Sequence, residues 1–138
     1  MNLGRYIGIP FKHMGRGFDG CDCIGLVYLW YKHENGIEIR IEDELGTKYD
    51  RVNNDRLKHF LLSLGGFSMY LDRGDVVMLG CATVTHCGIY IGNGEFIHQL
   101  AHPVGNLWKP PSGNIGGLSS RARLSDWFSR YHGAIKLR

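Results

Sequence analysis

The sequence predicts an α+β domain, with helices from the first half of the chain packed on an antiparallel β-sheet from the second half. Two helical runs come first, at Cys23–His33 and Arg56–Leu64. Three short apolar runs follow, at Val76–Leu79, His86–Gly92 and Glu95–Leu100. Asn93-Gly94 separates the last two, and Asn-Gly between apolar runs is the strongest short hairpin signal. The 138 residues form one domain, 1–138, large enough to bury a core without disulfides or metal.

Each element has a local reason. Gly4, Gly8, Gly15, Gly17 and Gly20 make the first twenty residues a loop-rich lead-in. Asp22 stands where an N-cap belongs, the dense apolar run after it reads as a helix, and Asn35-Gly36 closes it. Residues 37–50 are polar and acidic without a clear period. Asn53-Asn54-Asp55 caps the second helix, whose Leu57, Phe60, Leu61 and Leu64 fall on one face, and Gly65-Gly66 stops it. Gly74-Asp75 leads into the first strand. The stretch from Pro103 to Gly117 reads as a long surface loop, Leu124–Tyr131 as a short helix, and Gly133–Leu137 as a last strand.

Composition narrows the function. Hydrophobic residues are 43% and charged residues 21%, ordinary values for a globular protein. A net charge of +3 is too small to argue for nucleic acid, and the late cluster Arg121, Arg123, Arg130, Lys136 and Arg138 reads as a solvated face. No apolar run approaches the roughly 20 residues of a membrane helix. The N-terminus has no apolar segment behind a basic start, so no signal peptide is expected. Cys21, Cys23, Cys81 and Cys87 are expected as thiols, and Cys21-Asp-Cys23 does not fit the spacing of a C-x-x-C redox pair.

Cys23 is the candidate nucleophile. A thiol is mostly protonated at neutral pH, and a helix N-terminus or a neighbouring imidazolium favours the thiolate. Cys23 follows the capping Asp22 at a helix start. The candidate base is His86, which opens one strand of the hairpin. His98 lies on the partner strand, where strand alternation brings the two imidazoles onto one face and lets His98 orient His86. The backbone N–H of Cys23 and a donor from the glycine-rich lead-in would meet an oxyanion. Taken singly, each of these residues has a bland explanation: a small core thiol, a surface histidine, a common turn. The pattern is in their combination.

These segments resemble the NlpC/P60 family of papain-like cysteine peptidases. The carrying residues are Gly8-Ile-Pro-Phe-Lys with Gly15, then Asp22-Cys23-Ile24-Gly25-Leu26-Val27, then Arg73-Gly74-Asp75-Val76-Val77, then the run from His86 to His98. The resemblance spans about residues 4 to 100. It implies the papain-like fold and hydrolysis of amide bonds in peptidoglycan stem peptides. It further implies Cys23 as nucleophile, His86 as base and His98 as the orienting residue, with no metal or other cofactor. Asp22, Phe11 and Tyr6 are the expected substrate-binding residues. Ile24 stands where the family often has Ser. Phe11 stands where many members carry Tyr, so a hydroxyl at the oxyanion would have to come from elsewhere, such as Tyr6. Cys87 replaces an aliphatic residue beside the base. The Gly-x-Pro-Phe-x-His-x-Gly-Arg segment and Ile24 look most like the phage-encoded, tail-associated branch. That branch implies a place in the virion tail, or in the host cytoplasm during assembly, with other tail proteins as partners and neither nucleic acid nor membrane.

Three other readings compete. A zinc site has ligand chemistry in Cys21, Cys23, Cys81, His86 and Cys87, but Cys21 and Cys23 are too close for the usual knuckle. A tail assembly component would retain the fold without needing catalysis. A thiol acyltransferase would use the same residues on another acceptor, but no membrane-binding segment supports it.

Overall fold

A computed structural model of the chain describes residues 3–41, 56–100 and 117–137. After a 3-10 turn at Leu3–Tyr6, a small hairpin pairs β1 (Arg16–Gly17) with β2 (Gly20–Cys21). Helix α1 (Cys23–Trp30) follows at once. Its last turn widens into a π-turn at Tyr31–Asn35, which Gly36 closes in the left-handed conformation, φ 69°. Helix α2 (Arg56–Leu64) runs directly into β3 (Gly65–Phe67). The remaining strands are β4 (Val76–Leu79), β5 (His86–Gly92), β6 (Glu95–His98), β7 (Ser120–Arg123) and β8 (Tyr131–Leu137), with a 3-10 helix at Leu124–Arg130 before β8.

The strands form one six-stranded antiparallel sheet in the order β3-β8-β4-β5-β6-β7. The expected hairpin is β5–β6. Three features differ from the sequence reading. Gly65-Gly66 does more than stop α2, because both glycines pair with β8. The last strand starts at Tyr131 and lies between β3 and β4. The short helix before it is 3-10 in character. The expected cap at Asn53-Asn54-Asp55 and most of the 103–117 loop lie outside the described residues.

Strand alternation divides the core in two. One face carries Val76, Met78, Cys87, Ile89, Ile97 and Ile135 and packs with Ile24, Val27, Leu57 and Leu61 of the helices. The other carries Val77, Leu79, Phe96 and Ala134 and is covered by Leu124 and Trp127. Asp75 anchors the start of β4: its carboxylate accepts from Ser68 Oγ at 2.7 Å, the Asp72 N–H at 3.0 Å and Lys136 Nζ at 2.9 Å. No helix among the described residues is long and apolar enough to cross a membrane.

Candidate active site

Asp22 locks the start of α1. Its Oδ1 accepts the Gly25 N–H at 2.8 Å, which satisfies one of the donors a helix start leaves open. Oδ1 also meets Arg16 Nη1 at 2.9 Å, and Oδ2 accepts the Met14 N–H at 2.9 Å. The carboxylate therefore ties the lead-in to the helix. Burial raises its pKa, opposed by Arg16 and the two backbone donors. A Cβ on Gly25 would stand 2.0 Å from the Gly15 carbonyl oxygen, so this helical position admits only glycine. Asp22 is buried with both oxygens engaged, while Cys23, the next residue, is partly exposed in the first turn.

The two histidines meet. His86 Nε2 lies 2.9 Å from His98 Nδ1. The β5–β6 register pairs Gly88 with His98, which puts His86 diagonally across the ladder on the same face. Gly88 leaves the space they use, since a Cβ there would sit 2.7 Å from Phe96 Cδ2 and 3.2 Å from His98 Cβ. Both rings are buried. Burial, then the neighbouring His98, holds the pKa of His86 well below the usual imidazole range, so its ring is neutral at pH 7.

Cys87 follows His86 on β5 and leaves the strand on the opposite face, towards α1. There it neighbours Cys23, and that neighbour, then burial, pushes the Cys87 pKa well above the usual thiol range. Cys23 and the imidazole pair thus reach the same end of β5, the thiol from the helix side and the rings from the Trp127 side. The other thiols are placed differently. Cys21 is buried, with Gln99 Nε2 3.8 Å from its sulfur, and burial pushes its pKa up to about 12; Cys81 is exposed in the loop after β4. Among the described residues no group of three or more His, Cys, Asp or Glu is placed to hold a metal ion.

The expected substrate-binding residues lie in three different settings. Asp22 faces inward, as described. Phe11 is partly exposed and bridges in parallel to Cys21, two residues before Cys23. Tyr6 is fully buried, donates its hydroxyl to Glu34 and packs on Trp30 with ring centroids 5.1 Å apart. Glu34 lies eleven residues beyond Cys23, about 16 Å along the helix axis. The suggested Tyr6 hydroxyl at the oxyanion is therefore corrected: it is committed at the far end of α1.

Two supporting residues were not singled out in the sequence. Trp127 packs edge-on against His98, with centroids 5.2 Å apart at 89°, and lies 5.8 Å from the His86 ring. Its only sequence signal is a lone Trp after Ser125-Asp126. Gln99 donates from Nε2 to the Ile9 carbonyl at 2.6 Å and so holds the lead-in against the end of β6.

The NlpC/P60 family model matches residues 8–119. The chain is 30% identical over 98 residues to the murein DD-endopeptidase MepH of Escherichia coli K12, covering 70% of this chain and 33% of that protein; it thus spans about a third of that relative's length. Among solved structures, the NlpC/P60 domain of the peptidoglycan hydrolase SagA superposes with a TM-score of 0.60 at 21% identity, covering 98% of this chain and 92% of that one. NlpC2 from Trichomonas vaginalis gives 0.61 at 17% identity, over 98% of this chain and 44% of that one. These likenesses establish the fold, α+β and papain-like, with helices on an antiparallel sheet. With the motif segments in order across most of its length, the chain belongs to the NlpC/P60 family.

Proposed function

We propose that this domain is a cysteine peptidase that hydrolyses amide bonds in the stem peptides of bacterial peptidoglycan. The observation that carries the reading is the 2.9 Å contact between His86 Nε2 and His98 Nδ1, at the strand end where Cys23 meets Cys87. Family membership and the murein and peptidoglycan hydrolases among the relatives support the substrate class.

In this mechanism His98 Nδ1 accepts the Nε2–H of His86, which leaves His86 Nδ1 as the basic nitrogen. Neutral His86 takes the proton of Cys23, the sulfur attacks the scissile carbonyl, and the imidazolium returns the proton to the leaving amine. The first turn of α1 supplies backbone N–H groups, that of Cys23 included, to the oxyanion. Water then attacks the acyl-enzyme with His86 as base. Phe11 lines the site without contributing a hydroxyl, and Asp22 acts by holding the helix start. The test is release of stem-peptide fragments from purified peptidoglycan. Cys23→Ala and His86→Ala should each lower release by about a thousandfold or more. Equal release by wild type and Cys23→Ala would overturn the reading.

The finer reading is a phage-encoded domain that works in the tail. It is supported by the segment from Gly8 to Arg16 and by Ile24. Virions made from the genome encoding this chain should contain it, as read by mass spectrometry of purified tails, and its absence from them would sink the idea. Tails that assemble and infect normally with Cys23→Ala would favour the assembly role over catalysis.

A further inference from the structure

A cavity of about 260 Å³ opens at the far end of α1, away from Cys23 and the imidazoles. One wall is the π-turn, with Glu34 and Asn35; the other is the lead-in to β4 and the end of β8, with Arg73, Asp75 and Lys136. The Tyr31 hydroxyl joins the two walls by donating to the Gly74 carbonyl. Helical turns as wide as this one are rare and concentrate at functional sites. Trp30 is only 2% exposed, yet its indole N–H has no hydrogen-bond partner among the described residues. A buried indole N–H usually has one. Gly74 uncovers it, since a Cβ there would stand 3.7 Å from Trp30 Nε1.

Other bonding capacity converges on the same space. Glu34 accepts the Tyr6 hydroxyl on Oε2, which leaves Oε1 for another donor. Lys136 Nζ donates to Asp72 at 2.8 Å and Asp75 at 2.9 Å, which leaves its third N–H. Asp75 is saturated by Lys136, Ser68 and the Asp72 N–H. Two carboxylates, Glu34 and Asp75, and two cations, Arg73 and Lys136, line the cavity, so its charges sum to zero. They are not mixed evenly: Glu34 stands on the helix wall and both cations on the sheet wall. A lone ion would upset that balance, whereas a molecule with one charge of each sign at its two ends keeps it. Sites for drug-sized molecules start at about 300 Å³, so this one suits something smaller.

From this constellation we propose that the cavity binds a free amino acid or dipeptide as its zwitterion, the ammonium on Glu34 and the carboxylate on the Lys136 side. The ammonium group donates to Glu34 Oε1 and to the side-chain oxygen of Asn35. The carboxylate accepts the third Lys136 N–H and the Trp30 indole N–H, beside the Arg73 charge. Glu34 lies about 16 Å along α1 from Cys23, so the ligand leaves the thiol uncovered. The proposal does not rest on the peptidase reading.

The test titrates glycylglycine into the isotope-labelled full chain and follows the assigned Trp30 indole N–H cross-peak by NMR. The peak should move and saturate, with a dissociation constant of about 1 mM or tighter. N-acetylglycylglycine lacks the ammonium and glycylglycinamide lacks the carboxylate, so each should bind at least about tenfold more weakly. Glu34→Gln keeps an oxygen for the Tyr6 hydroxyl, and it too should weaken glycylglycine at least about tenfold. A Trp30 peak that stays still up to roughly ten times that concentration would overturn the proposal. So would equal binding of the three peptides, or an affinity that Glu34→Gln leaves unchanged. The wild-type peptide series decides even if the variant misfolds.

Discussion

His98 faces Gly88 across the β5–β6 ladder, and the side chain that Gly88 lacks leaves room for His98 Nδ1 to come within 2.9 Å of His86 Nε2. A methyl at position 88 would press on the Ile97 carbonyl oxygen and on Phe96, each at 2.7 Å. Neither is free to move, since one is ladder backbone and the other a fully buried ring. Gly88→Ala should cost about 1–3 kcal/mol of stability, read from the urea midpoint. It should also lower peptidoglycan digestion by more than the lost folded fraction explains. A variant as stable and as active as wild type would show that the histidine pair tolerates its neighbour.

Acid should weaken the fold through His86. Burial lowers its native pKa, whereas in the unfolded chain it titrates near the ordinary value of about 6.5. Between those two values the unfolded chain holds a proton that the native protein lacks. Stability is thus undiminished above pH 6.5 and falls as pH drops below it, until the native pKa is reached. The unfolding midpoint should be lower at pH 5.5 than at pH 7.5, and the difference should shrink in His86→Gln. An identical pH slope in wild type and variant would remove His86 as its source.

Asp22→Ala removes the acceptor for Gly25, Met14 and Arg16 together. The expected loss is about 1–3 kcal/mol, with Asp22→Asn intermediate because its side-chain oxygen can still cap Gly25. Urea unfolding checks this. A raised KM in Asp22→Asn with unchanged stability would instead give Asp22 a direct role at the substrate.

The parts of the fold legible in sequence are those whose partners are close along the chain. The β5–β6 hairpin follows from Asn93-Gly94, and strand period alone puts His86 and His98 on one face. The helix start at Cys23 follows from its Asp cap. The insertion of β8 between β3 and β4 was not legible, because no local signal says which edge a last strand will join. Gly65 looked like a helix stop, yet a Cβ there would sit 2.0 Å from the Lys136 carbonyl oxygen, a contact that exists only once β8 is in place. The Tyr6 hydroxyl was misjudged for the same reason, since its choice of Glu34 depends on how the lead-in crosses the far end of α1.

Trp127 is the long-range contact that matters most for the site. It is fully buried and covers both imidazoles. Trp127→Ala should cost about 3–5 kcal/mol, while Trp127→Phe keeps part of the packing and loses less. Stability alone does not separate a core residue from one that tunes the histidines. Opening this face admits water and relieves the burial that depresses His86. In folded Trp127→Ala the His86 ring should therefore titrate closer to 6.5 than in wild type, as followed by proton NMR of the imidazole. The acid limb of peptidoglycan digestion should move to higher pH with it, because more of the base is protonated at a given pH. An unchanged His86 titration in the folded variant would mean that Trp127 fills the core without setting the charge state of the pair.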